Sequence, residues 1–193
     1  MKILCPAKVN HTLRIGKKMP NGLHEIKSEM EMIDLCDELE IKICKTKSSL
    51  SHFSCSGKYV SYIPHNKENS ILRAINLFFE GNPPDLKIHL EKNIPVGSGL
   101  GGGSSDAAGT LRILQKLFPK QCTKKKLTTM AQNLGSDVSF FWEECARAEV
   151  TGTGEKIHPL PSSSPQNMLL IAPRKFSVSS AWAYKQYDLV KQS

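Results

Sequence analysis

The residues with the clearest chemical content run Pro95-Val96-Gly97-Ser98-Gly99-Leu100-Gly101-Gly102-Gly103-Ser104-Ser105-Asp106-Ala107-Ala108. Five of the seven residues from Gly97 to Gly103 are glycine. Such a composition costs conformational entropy on folding and gives close backbone approach and positive φ in return. Leu86, Ile88 and Leu90 alternate just before the run, and Ala107, Ala108, Leu111, Leu114 and Phe118 follow at helical spacing up to Pro119. A strand, a glycine loop and a helix in that order put free amides at the positive end of a helix dipole, a cradle for phosphate. Ser104 and Ser105 add hydroxyls for phosphate oxygens or a magnesium ion. The run is not a P-loop, because no Gly-Lys-Ser/Thr follows. Gly97-Ser98-Gly99 and Gly102 have dinucleotide-fingerprint spacing, but the acidic residue at the end of a second parallel strand is missing.

The elements around this loop read as a mixed α+β chain. Val9, Leu13 and Ile15 alternate in a first strand over residues 8–15, and Pro20-Asn21-Gly22 supplies turn chemistry. Ile26, Met30 and Met32 share a face of a second strand, and Leu39, Ile41 and Ile43 of a third, which predicts an antiparallel meander. No period is visible from Ser48 to Lys67, so a surface excursion is expected there. Ile71, Ala74, Ile75 and Phe78 predict a helix capped by Asn69 and followed by Gly81. Leu127, Met130, Ala131 and Leu134 predict another, capped by Thr123 and left at Gly135. Arg147 to Val150 resembles a strand, Pro159 to Pro165 a linker, 168–172 a last strand, and Trp182 to Val190 an amphipathic helix.

Composition bounds the function classes. The chain has 193 residues, 39% hydrophobic and 23% charged, which is globular and large enough to bury a core. No apolar run approaches the ~18 residues of a membrane span, and the start is polar again by Lys8, so an export signal is not expected and the cytoplasm is. The net charge of +8 suits an anionic partner. Cys5, Cys36, Cys44, Cys55, Cys122 and Cys145 form no C-x-x-C pair, which argues against structural zinc, and small buried hydrophobes in a reducing compartment are expected.

With these readings in place, the run from Pro95 to Ala108 resembles the ATP-phosphate motif of the GHMP kinases, named for galactokinase, homoserine kinase, mevalonate kinase and phosphomevalonate kinase. Three more segments are similar to the branch of that family acting on a cytidine diphosphate-linked methylerythritol. They are Pro6-Ala7-Lys8-Val9-Asn10, Asn21-Gly22-Leu23-His24-Glu25 and Leu134-Gly135-Ser136-Asp137-Val138-Ser139-Phe140-Phe141. Thr151-Gly152-Thr153-Gly154-Glu155 resembles a further turn of the same enzymes. The resemblance covers residues 3 to about 160 in order. It implies the family's N-terminal, ribosomal-protein-like βαβ fold over residues 1–160, with residues 161–193 as linker and start of a second domain.

The resemblance also implies ATP and Mg2+ as cofactors and a small-molecule acceptor phosphorylated at its 2-hydroxyl, in isoprenoid precursor synthesis. Pro95 through Ser105 are carried over as the nucleotide-binding residues, and Lys8 with Asp137 as the catalytic pair. Asn10, His24 and Tyr184 are carried over as substrate contacts. In isolation Asp137 reads as a first-turn helix acid and Lys8 as a solvated strand residue. Tyr184 reads equally as a core tyrosine beside Trp182. Asn69, where the family approaches adenine, reads equally as a helix cap. Leu23 stands where the family commonly has an aromatic to stack on cytosine, and the family's C-terminal Gly-rich motif has no counterpart, so exposed apolar surface is expected if the chain is complete. Two further readings stay open: a non-catalytic remnant binding nucleotide or RNA, with Lys124-Lys125-Lys126 on phosphates, or a kinase for another polyol.

Overall fold

The computed structural model describes residues 1–44, 52–162, 164, 167–169, 178 and 180–191. Six strands form one sheet: β1 (Lys2–Lys18), β2 (His24–Ile43), β3 (His52–Ser56), β4 (Leu86–Glu91), β5 (Arg147–Gly152) and β6 (Lys156–Pro159). The helices are α1 (Ser70–Phe78), α2 (Gly102–Leu117), α3 (Lys124–Leu134), α4 (Ser136–Trp142) and α5 (Ser180–Lys191). β2 pairs antiparallel with β1 along its length. On its other side it pairs with β5 over Ile26–Glu31 and with β4 over Glu38–Ile43. Helices α1 to α4 pack on one another, and α2 packs on β1 and β2. Leu39, Ile41, Ile88, Phe78, Leu111 and Phe140 fill the core between the layers. None of the described helices is long and apolar enough to cross a membrane.

The expected second and third strands are one 20-residue strand. Pro6 pairs with Cys36 but Ala7 with Ile33, so Asp34 and Leu35 bulge out of register. The residues that face inward change from even to odd numbers across this irregular stretch. Ser28 and Met30 are buried before it, Asp37, Leu39 and Ile41 after it, and the broken period read as two strands. Pro6 lacks an amide and is tolerated because β1 lies at an edge of the sheet.

The region expected as an excursion holds β3, parallel to β4, and a 3-10 turn at Val60–Tyr62. Helix α2 starts at Gly102, so two glycines assigned to the loop are its first turn. Strand β6 was not expected, and of helix α4 only its start, in the local reading of Asp137 as a first-turn acid, was. Gly135 ends α3 and begins α4, so both fit in one short stretch. Met168 and Leu169 belong to no strand, and 170–172 lie outside the described residues. The caps at Asn69 and Thr123 are present. All six cysteines are free, with Cys5 buried and the others partly so. Leu4, Leu13, Trp182, Leu189 and Val190 are exposed.

Where β4 leaves β2, a side chain continues the ladder. Asp37 Oδ1 accepts the amides of Asn93 (2.6 Å) and Ile94 (2.8 Å). Its Oδ2 lies 2.5 Å from Lys92 Nζ, and the same ammonium donates to Asp106 Oδ2 in α2 at 2.7 Å. All three groups are buried. The ammonium therefore ties the strand entering the glycine loop to the helix leaving it. Burial alone would lower the Lys92 pKa, and the two carboxylates overcome it and hold the group above its ordinary value. Two carboxylates share one ammonium, so burial, together with the charge of Asp37, pushes Asp106 up to about 7 despite Lys92.

Lys92→Met strands two buried carboxylates, and a loss of about 3–5 kcal/mol in chemical unfolding is expected; a loss below 1 kcal/mol contradicts this role. Asp106 keeps a proton in the native chain between about pH 4 and 7 that the unfolded chain has released. Its contribution to stability therefore falls as pH rises through that window and is level above it. Denaturant midpoints at pH 5 and 8 should show this fall in the wild type and a smaller one in Asp106→Asn.

Candidate active site

A cavity of about 710 Å3 opens between the glycine loop, β1, α1, α4 and α5. Its floor is the loop itself. Ser98 Oγ donates to the Pro95 carbonyl at 2.7 Å, and Ser105 N makes the first helical bond, to Gly101 O, at 2.9 Å. No side chain caps α2, so its leading amides are left for a ligand. Gly101 has φ +73°, and a Cβ there would lie 2.9 Å from the Phe141 ring and 3.1 Å from Lys8 Cγ. A Cβ on Gly102 would meet Ile94 at 2.9 Å and the Lys92 ammonium at 3.0 Å. The glycines thus let α4, Lys8 and the buried ion cluster close on the loop from three sides.

Lys8 and Asn10 stand two apart on β1 and so project to the same face. Lys8 N donates to Leu100 O at 2.9 Å, which fixes the strand to the loop. Its ammonium is buried, 2.6 Å from Asn10 Oδ1 and 3.5 Å from Asp137 Oδ2. Asn10 Nδ2 in turn donates to Ser28 Oγ (2.7 Å), and Ser28 to the Thr12 carbonyl (2.6 Å). Asp137 lies in the first turn of α4. An ammonium and a carboxylate at this distance can polarise a hydroxyl and receive its proton, beside amides that hold an anion.

Of the residues named from sequence, Lys8, Asn10, Asp137, Tyr184 and Pro95 through Ser104 line this cavity. Ser105 is buried beneath it. His24 is buried outside the wall, its ring stacked on Tyr184 at 5.3 Å. His24 Nε2 is 2.7 Å from Asp188 Oδ1, and Lys18 donates to the other carboxylate oxygen at 2.5 Å. Lys18 and the donor-bearing ring hold Asp188 below the ordinary carboxylate range against its desolvation. Tyr184 is a wall residue, with Trp182 exposed, and burial followed by the Asp137 charge raises its pKa. Asn69 also lines the cavity, but its side chain is committed: Oδ1 caps Ile71 N and Leu72 N, and Nδ2 donates to Pro64 O. Leu23 is exposed.

Sequence reasoning missed Ser28, Asp188 and the Asp37–Lys92–Asp106 cluster. Ser28 had a signal, a polar residue between Ile26 and Met30 on an apolar face. Asp188 is four residues after Tyr184 and so on the same face of α5. Among the described residues, no group of three or more His, Cys, Asp or Glu could hold a metal ion unaided.

Known proteins resemble the chain along most of its length. The model of the GHMP kinases N terminal domain matches residues 69–143, the span from the α1 cap through α4. A 4-diphosphocytidyl-2-C-methyl-D-erythritol kinase from Desulfotalea psychrophila is 37% identical over 188 residues, 95% of this chain and 61% of that protein. One from Methylacidiphilum infernorum is 41% identical over 186 residues, 95% of this chain and 62% of its own length. The chain thus spans about six-tenths of the length of these curated relatives. A solved 4-(cytidine 5'-diphospho)-2C-methyl-D-erythritol kinase superposes with TM-score 0.65 at 37% identity, over 83% of this chain and 55% of that one. With the matching N-terminal-domain model, 37–41% identity along nearly all of its length and a shared α+β architecture, the chain belongs to the GHMP kinases.

Proposed function

We propose that this chain carries the ATP-binding and catalytic part of a kinase that phosphorylates the 2-hydroxyl of 4-diphosphocytidyl-2-C-methyl-D-erythritol. The observation that carries this reading is the approach of Lys8 to Asp137, 3.5 Å apart at the mouth of α2 although 129 residues separate them in sequence. The relatives' names supply the substrate, and residues 1–160 and 161–193 divide as the N-terminal domain and the start of a second one.

A tertiary alcohol is a crowded, weak nucleophile. Asp137 accepts its proton as the bond to phosphorus forms, and Lys8 lowers the cost of the developing alkoxide and of the transferring phosphoryl charge. Lys8 is itself held by Asn10, which Ser28 orients, so the ammonium has little freedom to leave the carboxylate. The amides at the start of α2 take the nucleotide phosphates. A magnesium ion fits this donor set, since it needs few protein ligands beyond phosphate oxygens and water. Ser104 in the cavity wall, with Ser105 beneath, would offer the hydroxyl that holds it. When bound, the ion neutralises phosphate charge. Tyr184 closes the acceptor end, with His24 behind it.

In an ADP-release assay with this substrate, Asp137→Asn should lower kcat by ~10²–10⁴-fold while leaving the KM for ATP within about threefold. Equal turnover by the two proteins removes Asp137 as the base. Gly101→Ala puts a methyl group at positive φ between Phe141 and Lys8, a strain of ~1–2 kcal/mol before any clash. Its nucleotide affinity, measured by calorimetry with an ATP analogue, should drop about tenfold or more; wild-type affinity contradicts the placement of ATP.

A further inference from the structure

No side chain caps α4, so the start of its first turn must be fixed by something outside the helix. The β5–β6 turn lies against it. Ser136 Oγ donates to the Thr153 carbonyl at 2.7 Å. Gly154, at φ +105°, brings the turn so close that a Cβ there would lie 2.4 Å from Ser136 Cβ and 3.3 Å from Ser136 Cα. The turn is held in shape by Glu155, whose Oε2 accepts both the amide (2.7 Å) and the hydroxyl (2.8 Å) of Thr153. The Glu155 carboxylate covers Gly152, where a Cβ would be 2.3 Å from Oε1. Burial opposes its charge, yet the Thr153 donors win and keep its pKa below the ordinary value. The far end of α4 is held separately, by Arg112 donating to Phe141 O and by Trp142 Nε1 on Thr128 at 3.0 Å.

We propose that Glu155 and Ser136 are positioning residues for Asp137: the turn shaped by Glu155 grips Ser136 and so sets where the neighbouring carboxylate stands relative to Lys8. This rests on the reading of Asp137 as the base. Neither residue touches the reacting atoms. Their effect belongs to turnover, because the glycine loop that takes the nucleotide is anchored elsewhere, on Asp37 and Lys92 and, through the Leu100 carbonyl, on the Lys8 amide. A carboxylate displaced by about an ångström loses the in-line geometry that makes it useful.

Glu155→Ala and Ser136→Ala should each lower kcat by about 10- to 100-fold, with the KM for ATP within twofold. Glu155→Gln, which keeps an oxygen acceptor for Thr153, should recover most of the loss. In an Asp137→Asn background the same substitutions should cost less than about twofold, because the carboxylate they place is gone. An equal fractional loss in both backgrounds, or a KM for ATP rising in step, overturns the proposal and leaves a general loosening. If Asp137→Asn is itself silent, the base assignment fails instead. A readout independent of turnover is amide hydrogen exchange on this chain. Glu155→Ala should accelerate exchange at 136–139 and leave 102–106 unchanged, and unaltered protection at 136–139 also overturns the proposal.

Discussion

The arrangement depends on one buried ammonium. A phosphate cradle made of main-chain amides must leave those amides unpaired, so the loop cannot be stiffened through the groups that would bind the ligand. Lys92 solves this from below, joining Asp37 on β2 to Asp106 in α2, while Asp37 pairs the amides of Asn93 and Ile94. Both ends of the loop are fixed and its upper surface stays open. A dry cluster with two acids and one base stabilises little against a well-packed apolar equivalent, but losing any member is costly. Its use here is geometric.

The other contacts of the loop place chemistry around that fixed point. Lys8 is bonded through its own amide to Leu100, so the ammonium opposite Asp137 moves with the loop. Phe141 lies against Gly101, which makes α4 part of the same unit. Three stretches far apart in sequence converge because two glycines lack a Cβ where larger residues would collide. Van der Waals contact decides the distance between α4 and the glycine loop, and the ion pair of Lys8 with Asp137 forms within limits that packing has already set.

How much of this was legible follows the range of each interaction. The glycine run and the caps at Asn69 and Thr123 are local, readable from neighbouring residues. The long β2 was not, because its inward-facing positions change from even at Met30 to odd at Leu39 across the register shift opposite Pro6 and Ala7, and only the pairing with β1 shows the two halves to be one strand. Helix α4 was too short to show a period, and β6 exists only as a partner for β5. In the site, Lys8, Asn10 and Asp137 were named from motifs, but their proximity could not be, since spacing along the chain says nothing about distance. Lys92, one residue past the end of β4, stands in no motif. Its burial is a product of the split between β4 and β5 along β2, a tertiary fact. Asn69 shows the reverse: the local reading as a cap is what its hydrogen bonds support.

Charge also deserves separation into whole and part. The chain carries +8, which taken alone suggests a basic anion site. The cavity wall does not follow it: Lys8, Arg73 and Lys92 stand against Glu68, Asp106 and Asp137, a balance of formal charge. Lys92 is moreover spent on two carboxylates beneath the loop. Attraction for a polyphosphate must therefore come from the oriented amides at the start of α2 and from any cation that travels with the ligand. Amides fixed in a partly enclosed site are screened less by salt than surface lysines are. They also impose direction, which a mobile ammonium does not. A site built this way favours a group that fits the curve of the loop, whereas a basic excess spread over the surface raises encounter with anions without choosing among them.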